Sequence, residues 1–144
     1  MIFIIPDKSF PTYFCAIMKT ILVIEDNAEV RENTAELLEL DGYRVITAIN
    51  GKTGFSQALT DHPDVILCDV MMPETDGVGF LKLIKAEKST CNIPLIFFSA
   101  GSAPLAVRRG LEQGGDEYLQ KPFTHEELLG AVERYIGQQS KNSR

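Results

Sequence analysis

Four positions in this chain of 144 residues combine complementary chemistry with a shared context, the end of a short strand-like run. Glu25-Asp26 follows Ile21-Leu22-Val23-Ile24, Asp69 follows Val65-Ile66-Leu67-Cys68, Ser99 follows Leu95-Ile96-Phe97-Phe98, and Lys121 follows Glu117-Tyr118-Leu119-Gln120. Carboxylates gathered closely repel one another unless a cation or a proton intervenes. The set holds no histidine or cysteine, so a soft transition metal is a poor fit. Oxygen ligands suit Mg²⁺, with Mn²⁺ as a substitute. A divalent ion and an ammonium group together stabilise the equatorial oxygens of a phosphoryl group in transfer. Asp69 is then the candidate nucleophile, because a carboxylate can form an acyl phosphate. Ser99 can donate a hydrogen bond to a phosphoryl oxygen. Each position also has a plainer reading: a capping or solubilising acid pair, a surface lysine, a serine bonded to nearby backbone. Tyr118 is either an ordinary half-buried sheet aromatic or a residue whose rotamer reports the state of the site.

The elements that must deliver these groups alternate along the chain. The runs at 21–24, 65–68 and 95–98 are continuously apolar, as strands covered on both faces are. Residues 43–48 and 117–120 supply two more strands. Between them lie helical stretches at 27–40, 51–61 and 104–113, and one carrying Phe80, Leu81, Leu83 and Ile84 after a chain loosened by Gly77 and Gly79. On the first helix Val30, Ala35, Leu37 and Leu38 form the apolar side, while Arg31, Glu32, Glu36 and Glu39 take solvated positions. Gly42 ends that helix. Thr124 with Glu127 three residues on has the spacing of a capping box. Leu128, Leu129, Val132, Tyr135 and Ile136 then make an apolar stripe. Five strand–helix units predict an α/β doubly wound five-stranded parallel sheet with helices on both faces. In such a sheet ligands bind beyond the carboxyl ends of the strands, which is where the four positions fall.

Composition restricts the alternatives. A net charge of -6 and a longest basic run of only Arg108-Arg109 argue against a surface for nucleic-acid phosphates. No apolar stretch is long enough to cross a bilayer. Cys15, Cys68 and Cys91 show no CxxC spacing, which fits a reducing, cytoplasmic compartment, and Cys68 reads as a buried small hydrophobe. No GxGxxG or GxxxxGK[ST] follows the first strand, which disfavours a nucleotide-binding enzyme. A phosphatase acting on an outside metabolite would often want an acid two residues after the nucleophile, where this chain has Met71.

Residues 1–17 are apolar and aromatic but broken by Pro6, Asp7, Lys8 and Pro11, unlike a signal peptide. They are expected to be an extension ahead of a start at Met18, with a loosely packed or partner-binding arm as the alternative. Residues 18–137 form the domain, and 138–144 a polar tail.

The stretches ILVIEDN at 21–27, VILCDVMMPETDG at 65–77, FFSA at 97–100 and GGDEYLQKPF at 114–123 together resemble the receiver domain of bacterial two-component response regulators. The resemblance spans about residues 19–137. It implies a flavodoxin-like sheet in the order 2-1-3-4-5, with Asp69 as the phosphoacceptor. Asp26 would be a direct Mg²⁺ ligand, Glu25 would act mainly through bound water, and the Met71 carbonyl would add a ligand. Ser99 matches the hydroxyl position, Lys121 the phosphate-binding lysine, and Tyr118 the switch aromatic coupled to Ser99. The Met72-Pro73 turn and Gly77 match the loop after the phosphoacceptor. Gly114-Gly115, where Gly-Ala is commoner, and the loop at 101–104 depart from the family pattern.

The implied partners are a sensor histidine kinase or phosphotransfer protein, and a downstream effector protein or an output domain outside this chain. A receiver face can also pair with a second copy as a homodimer. The implied activity is self-phosphotransfer and autodephosphorylation, not turnover of an outside metabolite. The competing expectation is a receiver-like interaction module that works without phosphorylation.

Overall fold

The structure is a computed structural model that describes residues 18–72, 76–99 and 104–137, with the backbone alone for 104–107. The expectations for residues 1–17, for Pro73, for 101–103 and for the tail at 138–144 lie outside the described residues.

Five strands form one parallel sheet: β1 (Thr20–Ile24), β2 (Arg44–Ala48), β3 (Val65–Asp69), β4 (Leu95–Ser99) and β5 (Glu117–Gln120). Their order is β2-β1-β3-β4-β5, as expected. The helices are α1 (Ala28–Leu40), α2 (Gly51–Asp61), α3 (Gly77–Ala86), α4 (Pro104–Glu112) and α5 (His125–Tyr135).

Side chains alternate across a strand, so the apolar runs feed two separate cores. Leu22, Ile24, Ile66, Cys68, Leu95 and Phe97 pack with Ala58 of α2 and with Phe80, Leu81 and Ile84 of α3. On the opposite face Ile21, Val23, Leu67, Ile96 and Phe98 pack with Leu38 of α1 and with Leu128, Ala131 and Val132 of α5. Each fully buried side chain of this size contributes about 1.5–3 kcal/mol relative to exposure. Cys68 is fully buried between these layers, as its apolar run implied.

The amino ends of the strands share one device. Asp64, just before β3, accepts from the Thr20 amide of β1 at 2.8 Å, and Asp116, just before β5, accepts from the Leu95 amide of β4 at 2.9 Å. Each carboxylate satisfies a donor that the neighbouring strand's first residue would leave unpaired. This pins register at one edge of the sheet and leaves the carboxyl edge for the site.

The helix starts follow side-chain capping. Asn27, Asn50 and Asp76 each accept from a backbone N–H three residues on, at 3.0, 2.8 and 2.8 Å. Thr124 and Glu127 form the reciprocal capping box. Asp76 moves one boundary: Gly77 and Gly79 lie inside α3 instead of loosening the chain ahead of it. A Cβ on Gly77 would stand 2.8 Å from both the Asp69 carbonyl oxygen and the Val70 Cα, so the absence of a side chain lets α3 start against the end of β3. On α1 the buried pair is Thr34 and Leu38, while Val30, Ala35 and Leu37 are half-buried. Leu83, read as one of the apolar residues of its helix, is 42% exposed, and Leu59 and Leu111 are 37% and 38% exposed.

Candidate functional site

The parallel register brings the predicted residues to one rim. β1 pairs with β3 so that Ile24 faces Cys68, β3 with β4 so that Asp69 faces Phe98, and β4 with β5 so that Ser99 faces Gln120. The next residue on each outgoing chain is therefore Glu25, Val70 or Lys121. The Lys121 amide donates to the Ser99 carbonyl at 2.7 Å, and the peptide to Pro122 is cis.

Glu25 is 1% exposed, Asp69 5% and Ser99 3%, whereas Asp26 faces solvent. The Lys121 Nζ lies 2.5 Å from Glu25 Oε1 and 3.1 Å from Asp69 Oδ2. Its second support is aromatic, because the ammonium stands 4.9 Å from the centroid of the buried Phe98 ring. Glu25 Oε2 accepts from the Asn27 amide at 3.0 Å, and Asp69 Oδ1 accepts from the Met71 amide at 3.0 Å. The Asp26 carboxylate has no hydrogen bond or ion pair among the described residues. Nor has the Ser99 hydroxyl. The Tyr118 hydroxyl is 3.4 Å from the Ser99 carbonyl oxygen, long for a bond of this kind.

Burial dominates the electrostatics. It pushes the Glu25 carboxyl up to about 7, with Asp69 adding to the rise and Lys121 and the Asn27 amide opposing it. Burial alone would lower Lys121, but the Glu25 and Asp69 carboxylates outweigh it and hold the ammonium above the ordinary lysine range. The Cys68 thiol is raised by complete burial and then by the Asp69 and Glu25 charges, so it stays protonated beneath the site.

Glu25, Asp26 and Asp69 each offer one carboxylate oxygen, and these atoms lie within 4.8 Å of one another. Mg²⁺ holds oxygens at about 2.1 Å, which separates opposite ligands by roughly 4.2 Å. Small side-chain rotations close that difference, so the residues present fit the ion. Met71 is placed beside them, with its side chain 57% exposed and its amide turned to Asp69.

Two supporting residues were not legible as such in the sequence. Arg31, read as solvated, folds back instead, and one guanidinium nitrogen donates to the carbonyls of Glu25 at 2.9 Å and Asp26 at 3.4 Å. Phe98, read only as a strand residue, carries the lysine. Its T-shaped contact with Phe123, at 6.0 Å between centroids, ties it to the turn after β5.

A 2-1-3-4-5 parallel sheet with an acidic cluster at its carboxyl edge defines the flavodoxin-like class of doubly wound α/β domain. Within that class the chain belongs to the response regulator receiver domain family of two-component systems, whose pattern it matches over residues 21–133. It is 36% identical over 116 residues to Protein PilG of Pseudomonas aeruginosa, covering 81% of this chain and 86% of that protein. It is 36% identical over 114 residues to the phosphate regulon transcriptional regulatory protein PhoB of Escherichia coli, covering 79% of this chain and 50% of that protein. The chain thus spans about half the length of its PhoB relatives. Among solved structures it resembles the chemotaxis protein CheY4 of Vibrio cholerae, with a TM-score of 0.77 and 29% identity over 82% of this chain and 98% of that one. It also resembles the signal receiver domain of a histidine kinase from Syntrophus aciditrophicus, with a TM-score of 0.76 and 32% identity over 83% and 91%. Among the described residues no helix is long and apolar enough to cross a membrane.

Proposed function

We propose that residues 18–137 are a phosphoacceptor unit that takes a phosphoryl group onto Asp69 from a histidine kinase or phosphotransfer protein. The observation that carries this reading is the convergence of Asp69, Lys121 and two further acids at one strand edge.

Asp69 Oδ attacks the phosphorus of a phosphohistidine. The new O–P bond forms as the N–P bond breaks, and its electron pair returns to the imidazole. The Met71 amide and the Lys121 ammonium fix the Asp69 carboxylate from its two oxygens. Glu25, Asp26, Asp69 and the Met71 carbonyl would hold Mg²⁺, or Mn²⁺ in its place; when bound it offsets charge on the phosphoryl oxygens. Ser99 supplies a hydroxyl, and Lys121 moves from Glu25 towards the new oxygens. Water later attacks the phosphorus, breaks the O–P bond, releases inorganic phosphate and restores the carboxylate. The domain therefore modifies and resets itself without an outside metabolite.

A groove of about 450 Å³ opens beside Lys121, lined by Val30 and Leu37 of α1 and by Pro122 and Phe123. It gives a donor protein an apolar foothold next to Asp69. The output follows from Ser99 and Lys121 drawing towards the phosphoryl group while Tyr118 changes rotamer. The surface of α4, β5 and α5 then shifts between two populations, and it is presented to an effector protein, an output domain or a second copy.

Intact mass after incubation with Mg²⁺ and acetyl phosphate tests the reading. One labile phosphoryl adduct is expected, absent in Asp69→Asn and after metal chelation. No adduct from acetyl phosphate or from a phosphorylated histidine kinase would sink it.

A further inference from the structure

The loop that carries two of the three acids, Glu25-Asp26-Asn27, leaves the sheet as β1 ends and enters α1 within three residues. Two of its backbone donors are settled by neighbours: the Glu25 amide donates to the Ala48 carbonyl at the end of β2 at 3.1 Å, and the Asn27 amide to the Glu25 side chain at 3.0 Å. Its acceptors are not settled by the sheet, since β1 stops before Glu25. The Asn27 carbonyl opens the helix ladder by accepting from the Arg31 amide at 3.0 Å. The carbonyls of Glu25 and Asp26 are instead held by the Arg31 side chain, through one nitrogen at 2.9 and 3.4 Å. No other hydrogen bond to the Asp26 backbone oxygen occurs among the described residues.

We propose that Arg31 is a positioning residue for the cation site, clamping the peptide planes of Glu25 and Asp26 so that both carboxylates are aimed at Asp69. The inference rests on the Mg²⁺ reading above and concerns a residue that does not touch the ion. Two consequences of the geometry support it. A peptide plane held at its carbonyl fixes the direction of the following Cα–Cβ bond, and the carbonyl of Glu25 belongs to the peptide that leads into Asp26. Among the described residues the Asp26 carboxylate has no hydrogen bond or ion pair of its own to fix it, so its aim depends on its backbone. A guanidinium also brings positive charge to a loop whose acids must approach one another. The single nitrogen that reaches both carbonyls carries two N–H donors fixed in the guanidinium plane.

The test is Mg²⁺ titration of the full chain, followed by intrinsic tyrosine emission or calorimetry, on wild type, Arg31→Ala, Arg31→Gln and Arg31→Lys. Removing an outer group that orients metal ligands typically weakens affinity by about 10-fold or more, and a loss near the lower end is expected for Arg31→Ala and Arg31→Gln. Arg31→Lys should recover part of it, and raising Mg²⁺ should restore the phosphorylation rate of all three variants. A role confined to capping α1 would lower the urea midpoint while leaving the Mg²⁺ affinity of the folded fraction unchanged. That result, in either Arg31→Ala or Arg31→Gln, overturns the inference. A wild-type chain that binds no Mg²⁺ overturns the reading beneath it and this inference with it.

Discussion

The Lys121 ammonium and the buried Glu25 carboxylate are joined at 2.5 Å across 96 residues of sequence, with Asp69 as the lysine's second partner at 3.1 Å. In this state the lysine itself supplies the positive charge that the acids require. A divalent ion would compete for the same oxygens.

Lys121→Met should therefore separate binding from chemistry. With the ammonium gone, Glu25 and Asp69 lose a competitor for the ion, while Glu25, no longer held down by Lys121, takes up a proton more readily. At a pH well above 7, Mg²⁺ is therefore expected to bind more tightly by about 10-fold, or roughly 1.4 kcal/mol. Phosphorylation should fall at the same time, because the cation that meets the phosphoryl oxygens is lost. Without metal the variant should be less stable by about 1–3 kcal/mol, since two buried carboxylates are left unpaired and Lys121 is only 18% exposed. Mg²⁺ titration and urea melts check both halves. Weaker Mg²⁺ binding in the variant would show that the lysine assists the ion.

Glu25 sets a pH dependence with a definite sign. Burial raises its folded-state carboxyl from 4.5 to about 7, so between those values the folded chain holds a proton that the unfolded chain has lost. Its contribution to stability is thus fully present below the unfolded value and is lost as pH rises through about 7. In metal-free buffer the urea midpoint of wild type relative to Glu25→Gln should decline across that window. Mg²⁺ affinity should rise across the same window, because proton and ion compete for one carboxylate. A midpoint difference that stays flat with pH would contradict the buried, protonated state.

Glycine substitutions should act in opposite directions at two helical positions. Gly77→Ala places a methyl 2.8 Å from backbone atoms of Asp69 and Val70, neither of which can rotate away. A destabilisation of about 1–3 kcal/mol is expected from such overpacking, with weaker Mg²⁺ binding as Asp69 shifts. At Gly130 of α5 the nearest atom to an added Cβ is the end of Arg134 at 3.7 Å. There the same change should stabilise by up to about 1 kcal/mol through helix propensity alone. Denaturant midpoints of the two variants read this directly.

What the sequence disclosed, and what it hid, follows from the range of each interaction. The runs of β1, β3 and β4 and the acids and hydroxyl that end them were legible because a buried parallel strand must be apolar until it leaves the sheet. Caps such as Thr124 with Glu127 were legible because both partners lie within one turn. Arg31 was misread because helical periodicity assigns a direction around the axis, while its long side chain runs back along the helix start to the loop before it. Gly77 was misread because composition alone cannot distinguish a flexible glycine from one required by a close approach. The role of Phe98 depended on Lys121 arriving from β5, a contact set by sheet order and not by any local pattern.

Ser99 offers the clearest division between stability and function. Its hydroxyl is buried with the residue only 3% exposed, and it has no partner among the described residues. Ser99→Ala removes one buried hydroxyl and leaves the apolar packing of β4 in place, so the unphosphorylated domain should stay about as stable as wild type. The same change removes the donor that would meet a phosphoryl oxygen and the group against which Tyr118 is expected to reorient. Phosphorylation by acetyl phosphate should slow. With the tyrosines replaced by fluorotyrosine, the resonance assigned through Tyr118→Phe should move less on addition of beryllofluoride than it does in wild type. Urea midpoints, intact-mass time courses and fluorine spectra of the two proteins measure the three effects separately. A marked loss of stability in Ser99→Ala, with unchanged phosphorylation, would return Ser99 to a structural role at the end of β4.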